Sequence, residues 1–118
     1  MSLSEQVEQL IPHLRRYARA ASGDSALADE CLCVTVQKII DDRASFQDLD
    51  YSELERAIFK ALEPVLIARC GNTFQQLAWR ALILTELEGF SIAETAHVLG
   101  VESSSVASML KLPPQSAD

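Results

Sequence analysis

Apolar positions along the chain recur at helical spacing and no segment shows strand-like alternation, so the pattern predicts an all-α fold. Ser2-Leu3-Ser4-Glu5 has the spacing of a capping box and predicts a first short helix over residues 3–10. Pro12 suits the first turn of a second helix running from His13 to Ala21, which Gly23 stops. Asp24 then caps a helix over 25–41, with Leu27, Cys31, Val34 and Ile39 among its apolar positions. Residues 41–49 read as a polar loop. Asp50-Tyr51-Ser52-Glu53 is another capping box, opening a helix with Leu54, Ile58 and Leu62 on one face. Pro64 is expected to interrupt or kink that helix before it reaches Cys70.

Gly71-Asn72-Thr73 is the best linker signal. A helix over 74–88 follows, ended by Gly89. Ser91-Ile92-Ala93-Glu94 caps a short helix to Leu99, Gly100-Val101-Glu102 makes a tight turn, and Ser103 can cap a last helix over 104–111. Pro113-Pro114 ends all helix. The expected organisation is a module over 1–70, a second module over 74–112 and a tail or linker stub over 113–118. The linker is short, so the modules are expected to pack against each other.

Composition narrows the function classes. No stretch approaches the roughly 18 uncharged apolar residues of a membrane helix. Met1 to Leu10 carries Glu5 and Glu8 without a basic region, unlike a signal peptide, so a cytoplasmic location and no membrane contact are expected. Cys31 and Cys33 fall on different helix faces and cannot chelate one metal together; the three cysteines are expected to be small buried hydrophobes. His13 and His97 lie in different modules. No nucleophile motif, glycine-rich phosphate loop or metal-ligand spacing occurs, so no catalytic residues, metal or cofactor are expected and the chain is not read as an enzyme. Trp79 is expected in the core. Arg15, Arg16 and Arg19 are expected to pair with Asp24, Asp29 and Glu30.

Charge adds a stronger constraint. The net charge is −7; residues 1–70 hold 8 basic and 12 acidic side chains, and residues 71–118 hold 2 and 5. Domains that bind nucleic acid concentrate cations on at least one face, and neither half has that balance.

The segment Leu87-Glu88-Gly89-Phe90-Ser91-Ile92-Ala93-Glu94-Thr95-Ala96-His97-Val98-Leu99-Gly100-Val101 has the pattern of a helix-turn-helix. Small Ala93 and Ala96 permit close approach, Gly100 supplies the turn, and Val98, Leu99, Val101 and Val106 form an apolar seam. This run resembles region four of extracytoplasmic-function sigma factors. Leu14-Arg15-Arg16-Tyr17-Ala18-Arg19-Ala20, then Gly23-Asp24 and Ala28-Asp29-Glu30, resembles the opening of their region two. Two features depart from that family. Phe46 to Arg69 lacks Trp and is poor in basic residues where the family melts and reads promoters. The last helix, Ser103 to Lys111, carries Lys111 as its sole cation. Specific DNA binding is therefore not expected.

A sigma-like fold without DNA contacts resembles the sigma-like (EcfG-type) domain of the PhyR general stress response regulators of alphaproteobacteria. Met1-Ser2-Leu3-Ser4 and Leu82-Ile83-Leu84-Thr85-Glu86-Leu87-Glu88-Gly89-Phe90-Ser91 add to the similarity. The resemblance implies a sigma mimic that binds the anti-sigma factor NepR and so frees the true sigma factor. It also implies a receiver domain in a full-length protein. No parallel α/β pattern or phosphoacceptor site follows here, so the segment is expected to be either part of such a regulator or a stand-alone mimic. The alternative is a shortened sigma factor that binds RNA polymerase and promoter DNA.

The mimic reading implies a partner surface on both modules. On the helix over 25–41, where the family's polymerase-binding residues lie, Asp29, Leu32, Val36 and Ile40 form one stripe. On the second module Val101, Ser105, Met109 and Leu112 lie along one side of the last turn and helix, with Met109 adaptable to a partner helix.

Overall fold

The computed structural model describes residues 2–111. Within them the chain forms six α-helices and no strand: α1 (Leu3–Ser22), α2 (Ser25–Asp41), α3 (Tyr51–Cys70), α4 (Phe74–Glu86), α5 (Ile92–Leu99) and α6 (Ser103–Lys111). A short 3-10 turn, Arg43–Ser45, follows α2 in the segment expected to be loop.

Caps define most of the helix starts. Ser2 with Glu5, Asp50 with Glu53, and Ser91 with Glu94 all close reciprocal capping boxes, as their spacing predicts. Asp24 accepts from the Leu27 amide and starts α2. A fourth box, Thr73 with Gln76, was hidden in the segment read as linker. Ser103 is the first residue of α6 and not its cap; the Ser105 and Val106 amides donate to the Glu102 carbonyl.

Neither internal proline breaks its helix. Pro12 lies inside a single continuous α1, so the separate helices over 3–10 and from His13 are one helix. Pro64 lies inside an uninterrupted α3. The reason is the same in both. Pro12 and Glu8 are exposed, as are Pro64 and Lys60, so each carbonyl that loses its partner faces water rather than the core.

α1, α2 and α3 pack on one another, and α4, α5 and α6 do likewise. The two groups meet where α4 lies on α1 and α5 on α3. One apolar core runs through both, from Leu10, Leu14 and Leu62 to Ile83, Leu84, Phe90 and Val98. Aromatic rings mark the junction. Tyr17 and Phe59 centroids are 5.5 Å apart, and Phe90 meets Phe59 edge-on at 5.2 Å. A smaller cluster of Ala81, Ala96, Val106 and Met109 holds α6 to α4 and α5. Val98 therefore packs in the main core and not in the α5–α6 seam. Leu99 borders both clusters, and Ala96 rather than exposed Ala93 is the small residue at the close approach.

A polar network crosses the same junction. Glu63 on α3, 4% exposed, accepts from the Tyr17 hydroxyl on α1 and from Arg80 Nε on α4, the latter at 2.9 Å. Arg80 Nη2 also donates to Asn72 Oδ1 at 2.6 Å. Burial pushes the Glu63 carboxyl up from its ordinary pKa, while Arg80 and Tyr17 pull it back. Burial and the nearby carboxylate hold the Tyr17 phenol well above its ordinary pKa, so it stays a donor.

Gly100 ends α5 at φ 72°, and a Cβ built there meets nothing within 4 Å. A substitution there is opposed by backbone strain alone. Gly100→Ala should lower stability by about 1–2 kcal/mol, and Gly100→Asn by less; thermal melts followed by circular dichroism will rank the two.

Candidate partner-binding surface

The α2 stripe lies on the flank of its helix, at the seam with α1, and climbs from core to solvent. Leu32 is 5% exposed and belongs to the main core, Val36 is half-buried, and Ile40 is 58% exposed. Asp29 is exposed and accepts from Arg15 Nε on α1 at 3.3 Å. With both side chains open to water, that pair is worth at most about 1 kcal/mol.

The outer end of the stripe opens on a groove of about 180 Å³ between the start of α1 and the end of α2. Leu3, Val7 and Ile11 form one wall; Val36, Ile39 and Ile40 form the other; Glu8 and Arg43 stand at its rim. An apolar floor between charged edges is the form that accepts one face of an amphipathic helix.

The second stripe fares differently. Val101 is half-buried and Ser105 exposed, but Met109 is 6% exposed and packs with Ala81, Ala96 and Val106. It is a core residue because α6 needs one long flexible side chain to reach α4. Leu112 lies outside the described residues. The structure thus brings Val36 and Ile40 together in one groove and leaves Leu32 and Met109 inside.

Sequence reasoning missed an apolar face on α4. Phe74, Trp79 and Leu82 are all exposed, while Arg80 points inward. Trp79 is not a core residue: its indole N–H donates to the Ala20 carbonyl at the end of α1, with 48% of the side chain exposed. Around the helix Trp79 stands between exposed Leu82 and buried Ile83, so apolar neighbours in sequence do not decide which way it faces. The Glu63 carboxylate and its donor Arg80 lie 17 residues apart in sequence, beyond any local pattern.

The arginine cluster is split between modules. Arg15 meets Asp29 as expected, but Arg16 makes a two-pronged contact with Glu88, at 2.9 and 3.1 Å, beyond α4. His13 Nδ1 stands 4.0 Å from the same carboxylate. Glu30 pairs instead with Arg69. Cys31 is buried, whereas Cys33 is exposed and Cys70 half-buried, so the cysteines are not uniformly core.

Charge on the second module is lower than its sequence count. Arg80 is 3% exposed and paired, which leaves Lys111 as the one exposed Lys or Arg among the described residues from 71 onward. Glu94 is held below its ordinary pKa, first by the Ser91 amide and also by Arg56, so it is anionic at neutral pH. Among the described residues no group of His, Cys, Asp and Glu could hold a metal ion, and no helix is long and apolar enough to cross a membrane.

Two family models match the chain. The sigma2 domain of PhyR matches residues 7–63, and the sigma-like domain of the response regulator PhyR matches residues 75–112. The chain belongs to the PhyR sigma-like domain family.

Solved structures agree on the fold. The PhyRSL–NepR complex from Sphingomonas sp. Fr1 superposes with a TM-score of 0.77 at 22% identity, covering 93% of this chain and 83% of that one. The anti-anti-sigma factor PhyR of Bartonella quintana, complexed with the anti-sigma factor NepR, gives 0.76 at 21% identity. There 92% of this chain covers 47% of that one, so the chain spans about half of the Bartonella protein. No curated protein matches in sequence. α1–α3 correspond to the sigma-region-two-like module and α4–α6 to the sigma-like module of the PhyR family.

Placement separates two kinds of substitution in this PhyR-family domain. Leu32→Ala and Met109→Ala should each lose about 2–5 kcal/mol. Ile40→Glu should stay within about 0.5 kcal/mol of the native chain. Urea unfolding of the three variants measures both effects, and an Ile40→Glu loss as large as that of Leu32→Ala would mean the groove is closed in solution.

Proposed function

We propose that this chain is a sigma-factor mimic that binds a NepR-like anti-sigma factor and thereby releases the true sigma factor for stress-response transcription. One observation carries the reading. The second module keeps a sigma-like fold while Lys111 is its one exposed Lys or Arg among the described residues. A helix-turn-helix, as we read α5, its turn and α6, needs cations to displace counterions from phosphate. Without them the fold retains shape for a protein partner and loses its grip on DNA. The solved relatives held by NepR support the same role, and the shortened-sigma alternative is not favoured.

In this reading the modules are 1–70 and 74–112, and the action is binding rather than catalysis, in the cytoplasm. A complete regulator would join the domain to a receiver. The contact on the first module runs along Asp29, Val36 and Ile40 into the α1–α2 groove, with Leu32 supporting from the core. On the second it uses Val101 and Ser105, with Met109 fixing α6 from beneath; Leu112, also proposed for the contact, lies outside the described residues. The chain's net charge of −7 favours an amphipathic partner helix flanked by basic residues.

Two measurements test this. Titration calorimetry with a NepR-like protein should show binding that Ile40→Glu weakens by about tenfold or more, a loss of about 1.4 kcal/mol. Unchanged affinity in a folded Ile40→Glu variant would move the site away from the groove. In a gel shift at physiological salt the chain should give no sequence-dependent complex with promoter DNA; a submicromolar specific complex would favour the shortened sigma factor.

A further inference from the structure

The α3–α4 connection looks like a hinge in sequence, a glycine followed by two short polar residues between two helices. Its polar groups are nonetheless tied at short range. The Gly71 amide donates to the Ile67 carbonyl at 2.8 Å. The Gln76 side chain closes the joint from both sides, donating to the Cys70 carbonyl at 2.6 Å and accepting from the Thr73 amide at 2.8 Å. Asn72 is held by Arg80 at 2.6 Å, and the same guanidinium holds Glu63, which in turn holds Tyr17.

We propose that Arg80 is the pin of a latch that sets the relative orientation of the two helical modules in the free chain. The guanidinium touches the joint and α3 directly, and reaches α1 through Glu63 and Tyr17, so four segments meet at one buried group. The apolar core between the modules is a rival explanation, but it does a different job. Burial of Leu84, Phe90 and Val98 holds the modules together without specifying direction. Hydrogen bonds to a fixed planar fork are directional, and inside a protein they are stronger than in water. The other charged and polar links across the junction include Arg16 to Glu88, Arg56 to Glu94, Lys60 to the His97 carbonyl and the Trp79 indole to the Ala20 carbonyl; each has an exposed or half-buried partner and constrains less.

One consequence rests on the proposed anti-sigma role. A partner that spans both modules would find its two contact faces already in register and would not have to order them on binding. The test of the latch uses the chain alone, so its failure is separable from failure of that role.

Residual dipolar couplings by NMR will report module orientation. In the native chain the α1–α3 and α4–α6 amides should fit one alignment tensor. In Arg80→Met, with helix content unchanged by circular dichroism, they should need two. Should Arg80→Met fail to fold, Asn72→Ala removes just the tie to the joint. It should speed amide exchange at Thr73 by roughly tenfold, the size expected for one lost charge-assisted hydrogen bond. A single shared tensor in folded Arg80→Met, or native exchange at Thr73 in Asn72→Ala, would leave the apolar core as the sole determinant and overturn the latch.

Discussion

The Glu63 carboxylate is the point on which the arrangement of this domain depends. It is buried, and it stays satisfied because Tyr17 and Arg80 approach it from two other helices. Breaking one side of such a buried pair costs about 3–5 kcal/mol, against a total stability of about 5–15 kcal/mol for a domain of ordinary size. The apolar core can rearrange by small shifts; this group cannot, because each of its partners is fixed to a different helix. The rotation of α4 follows. With Arg80 committed to the interior, Trp79 and Leu82 must face outward, and the module that resembles a DNA-binding region gives up one of its two cations to the core.

That commitment links stability to function. In a sigma factor, cations on the second module would be spent on phosphate. Here Arg80 serves packing, Arg16 serves the junction with Glu88, and Arg56 meets Glu94 at 3.2 Å. The basic residues of the chain work mostly between its own helices. What is left on the surface is acidic and, in places, apolar, a combination that suits a basic amphipathic helix better than a polyanion.

Much of the fold was legible because caps are local. A Ser, Asp or Thr three residues before Glu or Gln, standing just ahead of an apolar run, marks a helix start within about one turn from local sequence alone, as at Ser2, Asp50 and Ser91. The continuity of α1 through Pro12 and of α3 through Pro64 was not legible, for the opposite reason. Whether a proline ends a helix depends on whether the freed carbonyl can reach water, and that is set by the tertiary position of Glu8 and Lys60. The candidate surface was half legible for a related reason. Asp29, Leu32, Val36 and Ile40 do share a stripe, but spacing cannot say where along it the neighbouring helix ends. Leu32 ends up in the main core, whereas Ile40, near the end of α2, stays 58% exposed.

Met109 shows where a sequence argument about surfaces reaches its limit. A methionine on an amphipathic helix fits both an adaptable docking site and a gap in the core. The choice falls to the helix it faces. Ala81 on α4 and Ala96 on α5 are small and leave space that α6 must fill, and Met109 with Val106 fills it. The same small residues that let the helices approach therefore draw the long side chain inward. Any docking on this half of the molecule has to use what the α4–α6 contact leaves outside, such as Ser105 and the exposed part of half-buried Val101. The surface of a small helical domain is decided by what its interior lacks, and it can be read once the packing partner of each face is known.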